Sequence, residues 1–143
     1  NYLVSLLTLC HDILSALKVD SPGTLLVGLM HRASLPIPNR AALEAIGRIR
    51  ADPQLQGIHI SGGISNIGQQ LPAKAADGSD LKRQLQCAFL TLAVPQGMDT
   101  VLATPSEQLG LLPGDNFVLQ IFRQALQATG TNVLREVRKL YRR

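Results

Sequence analysis

Hydrophobic positions along this chain switch between two periods. Leu3, Leu6, Leu7, Cys10, Ile13, Leu14 and Leu17 recur at helical spacing, with Ser5, Thr8, Asp12 and Ser15 opposite, which predicts an amphipathic helix. "VDSPG" stops it, because Pro and Gly punctuate the exit. "TLLVGLM" then runs apolar for the length of a strand, as expected for one buried on both faces. After the loop "HRASLPIPN", Asn39 is placed to cap a helix over "RAALEAIGRIRA", whose Ala42, Ile46 and Ile49 share a face. "DPQLQG" closes that helix, and "IHISGGI" predicts a second strand.

The remainder repeats the pattern. "SGGISNIGQQLP" and "AKAADGSD" read as loop, and Asp80 caps a helix over "LKRQLQCAFLTLAV" with Leu81, Leu85, Phe89 and Leu92 as its stripe. Pro95 and Gly97 end it. "DTVLAT" is the third strand, "PSEQLGLLPGD" a loop and "NFVLQIFRQALQATG" a helix, which Gly130 divides from a last one. The order α-β-α-β-α-β-α implies α/β architecture with parallel strands and right-handed crossovers. Three strands cannot close a barrel, and a complete eight-fold barrel needs at least about 200 residues. The chain is therefore expected to be a small open sheet or part of a barrel. Its lack of an initiator Met, with Asn1 already inside a helical pattern, favours the part.

Composition narrows this picture. The 143 residues are 45% apolar and 17% charged, enough for a single domain with a real core. Tyr2, Phe89, Phe117, Phe122 and Tyr141 are the aromatics, so Leu, Ile, Val and Ala must build the interior. No apolar run approaches the roughly 18–20 residues of a membrane span. The start lacks the basic region of a signal peptide. A cytoplasmic protein with no membrane partner is expected. Cys10 and Cys87 form no CxxC and have no His cluster, so small buried thiols are expected and no metal site.

The net charge of +4 resides wholly in residues 131–143, where Arg135, Arg138, Lys139, Arg142 and Arg143 face one acid, Glu136. A nucleic-acid or anionic-membrane role would rest on this tail alone. The expected reading is a basic C-terminal helix with cations at its negative dipole end, each stabilising by roughly 0.3–1 kcal/mol, and no nucleic-acid partner.

Parallel α/β architectures bind ligands where strands finish. Three loops meet there: Met30–Asn39, Ser61–Pro72 and Thr104–Asp115. They offer His31, Arg32, Ser65, Asn66, Gln69, Gln70, Lys74, Thr104, Ser106 and Glu107. If the second strand runs to Asn66, that amide shares the side of Ile58, Ile60 and Ile64, and can both donate to and accept from a neutral heterocycle. A polar loop with Asn66 in a turn is the other reading. Glycines at 62, 63 and 68 would let a flat ring approach the backbone. There is no GxGxxG or GK[ST], so a phosphate cradle fits poorly. His11 reads as solvated and His59 as a satisfied core residue, whereas His31 stands at a strand's C-terminal end. Neither a nucleophile elbow nor a spaced carboxylate pair is present.

"GISNIGQQLP", then "AFL" and then "GMDTVLATP", together resemble the pterin-binding methyltransferase family. This family comprises the methyltetrahydrofolate-binding barrels of cobalamin-dependent methionine synthase and of methyltetrahydrofolate:corrinoid methyltransferases. Its members carry G-[LVI]-S-N-[VI]-S followed by "FL…A…GLD-x-A-I". Gly63-Ile64-Ser65-Asn66-Ile67, Phe89-Leu90 and Gly97-Met98-Asp99 are the counterparts here, and the likeness covers about residues 40–105. It implies the C-terminal part of a dihydropteroate-synthase-like TIM barrel, about three β/α units plus a leading helix, forming one partial domain over 1–143. Asn66 would be the catalytic residue, hydrogen-bonding the pterin near its methylated nitrogen. Ser65, Gln69, Lys74 and His31 would complete the substrate site. Methyltetrahydrofolate would be the methyl donor, with cobalamin on a partner corrinoid protein or another domain. A second copy, or the barrel's N-terminal half, would be a further partner. Gly68 stands where the family usually has Ser, and Gly28 near where its preceding strand offers an Asp. The alternative is a non-catalytic barrel fragment kept as an interaction or regulatory module.

Overall fold

The computed structural model describes residues 26–30 and 36–142, in mixed α/β architecture around a parallel sheet. Strands β1 (Leu26–Met30), β2 (His59–Gly63) and β3 (Thr100–Leu102) lie side by side in chain order. Both pairings are parallel, with Gly28 opposite Ser61 opposite Thr100, and Met30 opposite Gly63 opposite Leu102. The helix expected over Leu3–Leu17, with Cys10 and His11, lies outside the described residues, as do His31 and Arg32.

Helices α1 (Pro36–Ala51) and α2 (Leu81–Gln96) make the two crossovers and touch each other. They therefore cover the same face of the sheet. Ile58, Ile60 and Ile64 are buried towards it, against Ile46 and Ile49 of α1 and Leu81, Leu85 and Phe89 of α2. His59, Ser61 and Gly63 alternate with them and are exposed or half-buried. Strand alternation thus separates a helix-covered face from a more open one. Helices α3 (Phe117–Gln127) and α4 (Asn132–Lys139) complete the chain. α3 packs against both α1 and α2, buries Val118, Leu119, Ile121, Phe122 and Ala125, and carries α4 on its flank. Cys87 is a buried free thiol, as its apolar helix face requires. No helix among the described residues is long and apolar enough to cross a membrane.

Several local expectations are met for their stated reasons. The Asp80 carboxylate accepts from the Arg83 N–H at 2.9 Å and opens α2. Asn116, read from sequence as the first helical residue, instead caps α3, accepting from Leu119 N–H at 3.0 Å. Gly97 at φ +120° closes α2, with Pro95 tolerated in the last turn. Gly130, at φ +56°, divides α3 from α4.

Three expectations are corrected. Asn39 does not cap α1 but lies buried inside it, because the helix already begins at Pro36, whose missing N–H is no loss in a first turn. The third strand is shorter than "DTVLAT", ending at Leu102 before Pro105 turns the chain. His59 is no core residue: its side chain is 56% exposed at the start of β2, with Nδ1 3.0 Å from the Asp99 carboxylate.

Candidate functional site

The C-terminal ends of the strands, with the loops that leave them, form the candidate site. β2 stops at Gly63 and the chain coils at once: the Ile67 N–H donates to the Ile64 carbonyl at 3.0 Å, and Gln69 N–H to Asn66 at 3.3 Å. The cause is apolar spacing, since Ile64 and Ile67 are both fully buried and Leu71 packs against the same core. Positions three and four apart share a face only on a helical turn. Strand parity consequently ends before Asn66, and its amide does not follow the isoleucines into the helix-covered side. The turn reading is the one the structure bears.

Asn66 is half-buried in this turn, and its Oδ1 accepts from the Gln69 side-chain amide at 2.9 Å. Ser65 is exposed beside it. These three of the sequence-derived residues come together. Lys74 does not join them; its backbone pairs with Asp80 in a small antiparallel bridge, and its exposed side chain stands near the start of α2. The loop it belongs to is well tied. Ala75 N–H donates to Ser79, and Ala76 N–H donates at 2.7 Å to Leu140 beyond α4.

The glycines have separate duties. A Cβ at Gly62 would lie 2.8 Å from the Met98 sulfur, so a side chain there would push the methionine aside. Gly68, at φ +81°, brings the turn against α2, where a Cβ would sit 3.0 Å from the Lys82 Cα. A side chain is strained there. Gly63 alone of the three has open space above it, with nothing within 4 Å of an added Cβ. Room for a flat ligand therefore exists at one glycine.

Next to this turn lies a cavity of about 280 Å³, between the first turns of α2 and the loop after β3. Asp80, Lys82, Arg83 and Gln86 line one side, and Ser106, Glu107 and Gln108 the other. Gln86 is only 1% exposed and donates to the Ile64 carbonyl at a long 3.4 Å, linking the cavity to the glycine-rich turn. Arg83 donates to the Gln108 carbonyl at 3.0 Å. Across from it, Glu107 Oε2 is shielded from solvent and has no hydrogen-bond partner. Ser106 and Glu107 are expected from their place after the third strand. Lys82, Arg83 and Gln86 were not, because the helical pattern marks them only as the polar side of a stripe.

The opposite end of the sheet is built differently. Asp99 accepts from Ile60 N–H at 3.0 Å and from the Thr100 hydroxyl at 3.1 Å, and meets both His59 and Arg50. Arg50 also donates to the Gly97 carbonyl at 2.6 Å and to Ile58 at 3.0 Å. Partial burial pushes the Asp99 carboxyl up, but the His59, Ile60 and Thr100 hydrogen bonds outweigh it and hold the pKa below its ordinary value. This cluster joins α1, β2 and β3, and lies at the end of the sheet associated with stability.

No protein-family model matches the chain, and no curated protein matches it. Among the described residues no group of three or more His, Cys, Asp or Glu could hold a metal ion. The chemistry available at this end is that of amides, the Ser65 and Ser106 hydroxyls, the Lys82 and Arg83 cations, and the Asp80 and Glu107 carboxylates.

Proposed function

We propose that this chain binds a reduced pterin, methyltetrahydrofolate, for methyl transfer to a corrinoid acceptor held by a partner protein or another domain. The observation that carries the reading is the position of "GISNIG" at the mouth of the central parallel strand, where Gly63 leaves open space and Asn66 stands beside it. Coverage of the sheet by both crossover helices on one face is the arrangement of a barrel wall, which supports a dihydropteroate-synthase-like barrel part.

In this reading the pterin lies flat over Gly63. The Asn66 carboxamide contacts the methylated nitrogen, where it holds the protonated form that makes a nitrogen a competent leaving group. Placement of the methyl group towards the acceptor supplies the rest. Gln69, hydrogen-bonded to Asn66 Oδ1, fixes which way the amide points. Gly28, level with Ser61, offers no acid to the ring, so ring affinity must come from the turn and its neighbours.

Calorimetry on the full chain with methyltetrahydrofolate tests the reading. Binding is expected, weakened about tenfold or more by Asn66→Ala, equivalent to at least about 1.4 kcal/mol. No heat above background from a protein with an intact circular dichroism spectrum would sink it.

One observation favours the alternative, an interaction module without catalysis. β3 has no strand beyond it among the described residues, and its Val101 and Leu102 are 43% and 76% exposed. A bare apolar edge is a surface for a further strand. Stable association through that edge, lost on Leu102→Lys, together with absent pterin binding, would select this alternative.

A further inference from the structure

Four of the six large apolar side chains exposed among the described residues, Val94, Val101, Leu102 and Leu111, gather along the outer edge of β3. The pairing of Val101 with Gly62 puts that valine on the helix-covered face, whereas Leu102, level with Gly63, stands on the open one. On the helix-covered side Val101 shares a cavity of about 260 Å³ with Leu90 and Val94 of α2, Met98 and Leu111. α3 does not close it, because it packs on α1 and α2 instead of continuing past β3. Among the described residues β3 thus combines an open backbone edge with exposed apolar side chains on both of its faces.

Two features of this edge select its occupant. It is only three residues long, Thr100–Leu102, before Pro105 turns the chain. A long added strand would leave most of its own backbone unpaired there, whereas an edge of equal length would not. It also carries no charge: nothing from Thr100 to Ser106 is ionisable, and the net charge of +4 lies in residues 131–143. The adjacent Asp99 is already held by Arg50 and His59. We propose that a second copy of this chain covers the edge, β3 pairing antiparallel with β3 about a twofold axis at Val101. In that register Val101 lies opposite Val101 and Thr100 opposite Leu102, while Asp99 falls opposite Ala103 and not opposite its own copy. Opposite residues share a face, so each Val101 adds apolar surface to the other copy's cavity. Both copies keep their crossover helices on one side of a continuous sheet. The proposal rests on the same bare edge as the interaction-module reading, names the partner which that reading leaves open, and is independent of pterin binding.

Sedimentation velocity on the full chain tests it. A reversible dimer is expected, and Leu102→Lys should weaken it at least about tenfold by bringing cations to the seam. Leu111→Lys, on the loop that walls the cavity, should act in the same direction. These side chains are 76% and 64% exposed, so neither variant should lower the Tm of the monomer. A dimer that persists in both variants overturns the proposal. So does a monomer at every concentration, which would leave the edge to a strand of another protein. Cysteines read the register. Val101→Cys should form an intermolecular disulfide on oxidation, since residues directly opposite have Cα atoms about 4.5–5.5 Å apart. Leu102→Cys, diagonal to its own copy at about 7–8 Å, should not. The reverse result overturns pairing about Val101. Calorimetry with methyltetrahydrofolate on the Leu111→Lys monomer decides the pterin reading separately, so failure of one reading is distinguished from failure of the other.

Discussion

The two ends of the β-sheet solve opposite problems with similar residues. At the start of β2, Asp99, Arg50 and His59 face one another and the backbone, so charge there is used to lock α1, β2 and β3 together. At the far end, Lys82, Arg83 and Glu107 share a cavity without pairing, and the backbone coils instead of continuing as strand. A charged group that meets its partner inside the fold contributes to stability. One that is held away from a possible partner by the same fold is a candidate for binding something else. The difference lies in geometry, since both ends are formed by Asp or Glu with Arg or Lys.

Four measurements would break or sharpen this contrast. The largest effect is expected at the locked end. Asp99→Ala removes the acceptor of the part-buried Ile60 N–H and leaves Arg50 short of its counter-ion, and should cost about 2–4 kcal/mol in urea unfolding. Ligand affinity of the remaining folded protein should be unchanged; a parallel loss of binding would mean that the two ends are not independent.

Gly97→Ala comes next. The new Cβ would lie 2.6 Å from Arg50 Nε on a backbone at φ +120°, for an expected loss of about 1–3 kcal/mol. A neutral result would show that the clasp around Arg50 yields easily.

Asn66→Ala should reverse the pattern. Pterin affinity should fall about tenfold or more, with a smaller change in stability than Asp99→Ala gives, because Asn66 is half-buried on a loop and its bond to Gln69 is exposed. Unfolding of this variant would instead class the turn as structural.

Acid titration gives the smallest and most general contrast. Asp99 is held below the ordinary carboxylate value as described, and Asp77 likewise by the Ser79 hydroxyl and N–H. A carboxyl with a depressed folded pKa stabilises fully above its unfolded value and loses that contribution as pH falls through the folded one. The contribution of these two carboxyls should therefore be complete above about pH 5 and decline below about pH 4. In Asp99→Asn the decline should be shallower. An identical slope would show that the acid sensitivity arises elsewhere.

Much of the helix-covered side was legible from sequence. Asp80, Gly97 and Gly130 act on backbone within a few residues of themselves, so local chemistry suffices to assign that cap and those breaks. The stripe Leu81, Leu85 and Phe89 follows from period alone. The candidate site follows from sequence in the elements that form it, the end of β2 and the loop after β3, but not in which side chains meet there. Asn66 was placed by an alternation that Ile67 interrupts, since a buried residue three positions after Ile64 demands a turn. His59, between two isoleucines, had the signature of a core residue, yet alternation puts it on the open face, where it meets Asp99 just before β3.

The sequence by itself determined the order of strands and helices, the cap at Asp80, the parallel topology and the glycine-rich turn where a ligand would sit. These depend on periodicity and on backbone preferences carried by each residue. Only the tertiary structure decided which charges meet and which are kept apart. Arg50 finds Asp99 and Gly97, while Arg83 turns to the Gln108 carbonyl and leaves Glu107 without it. The reason is that electrostatic pairing depends on distance between elements remote in the chain, a quantity that no local pattern encodes.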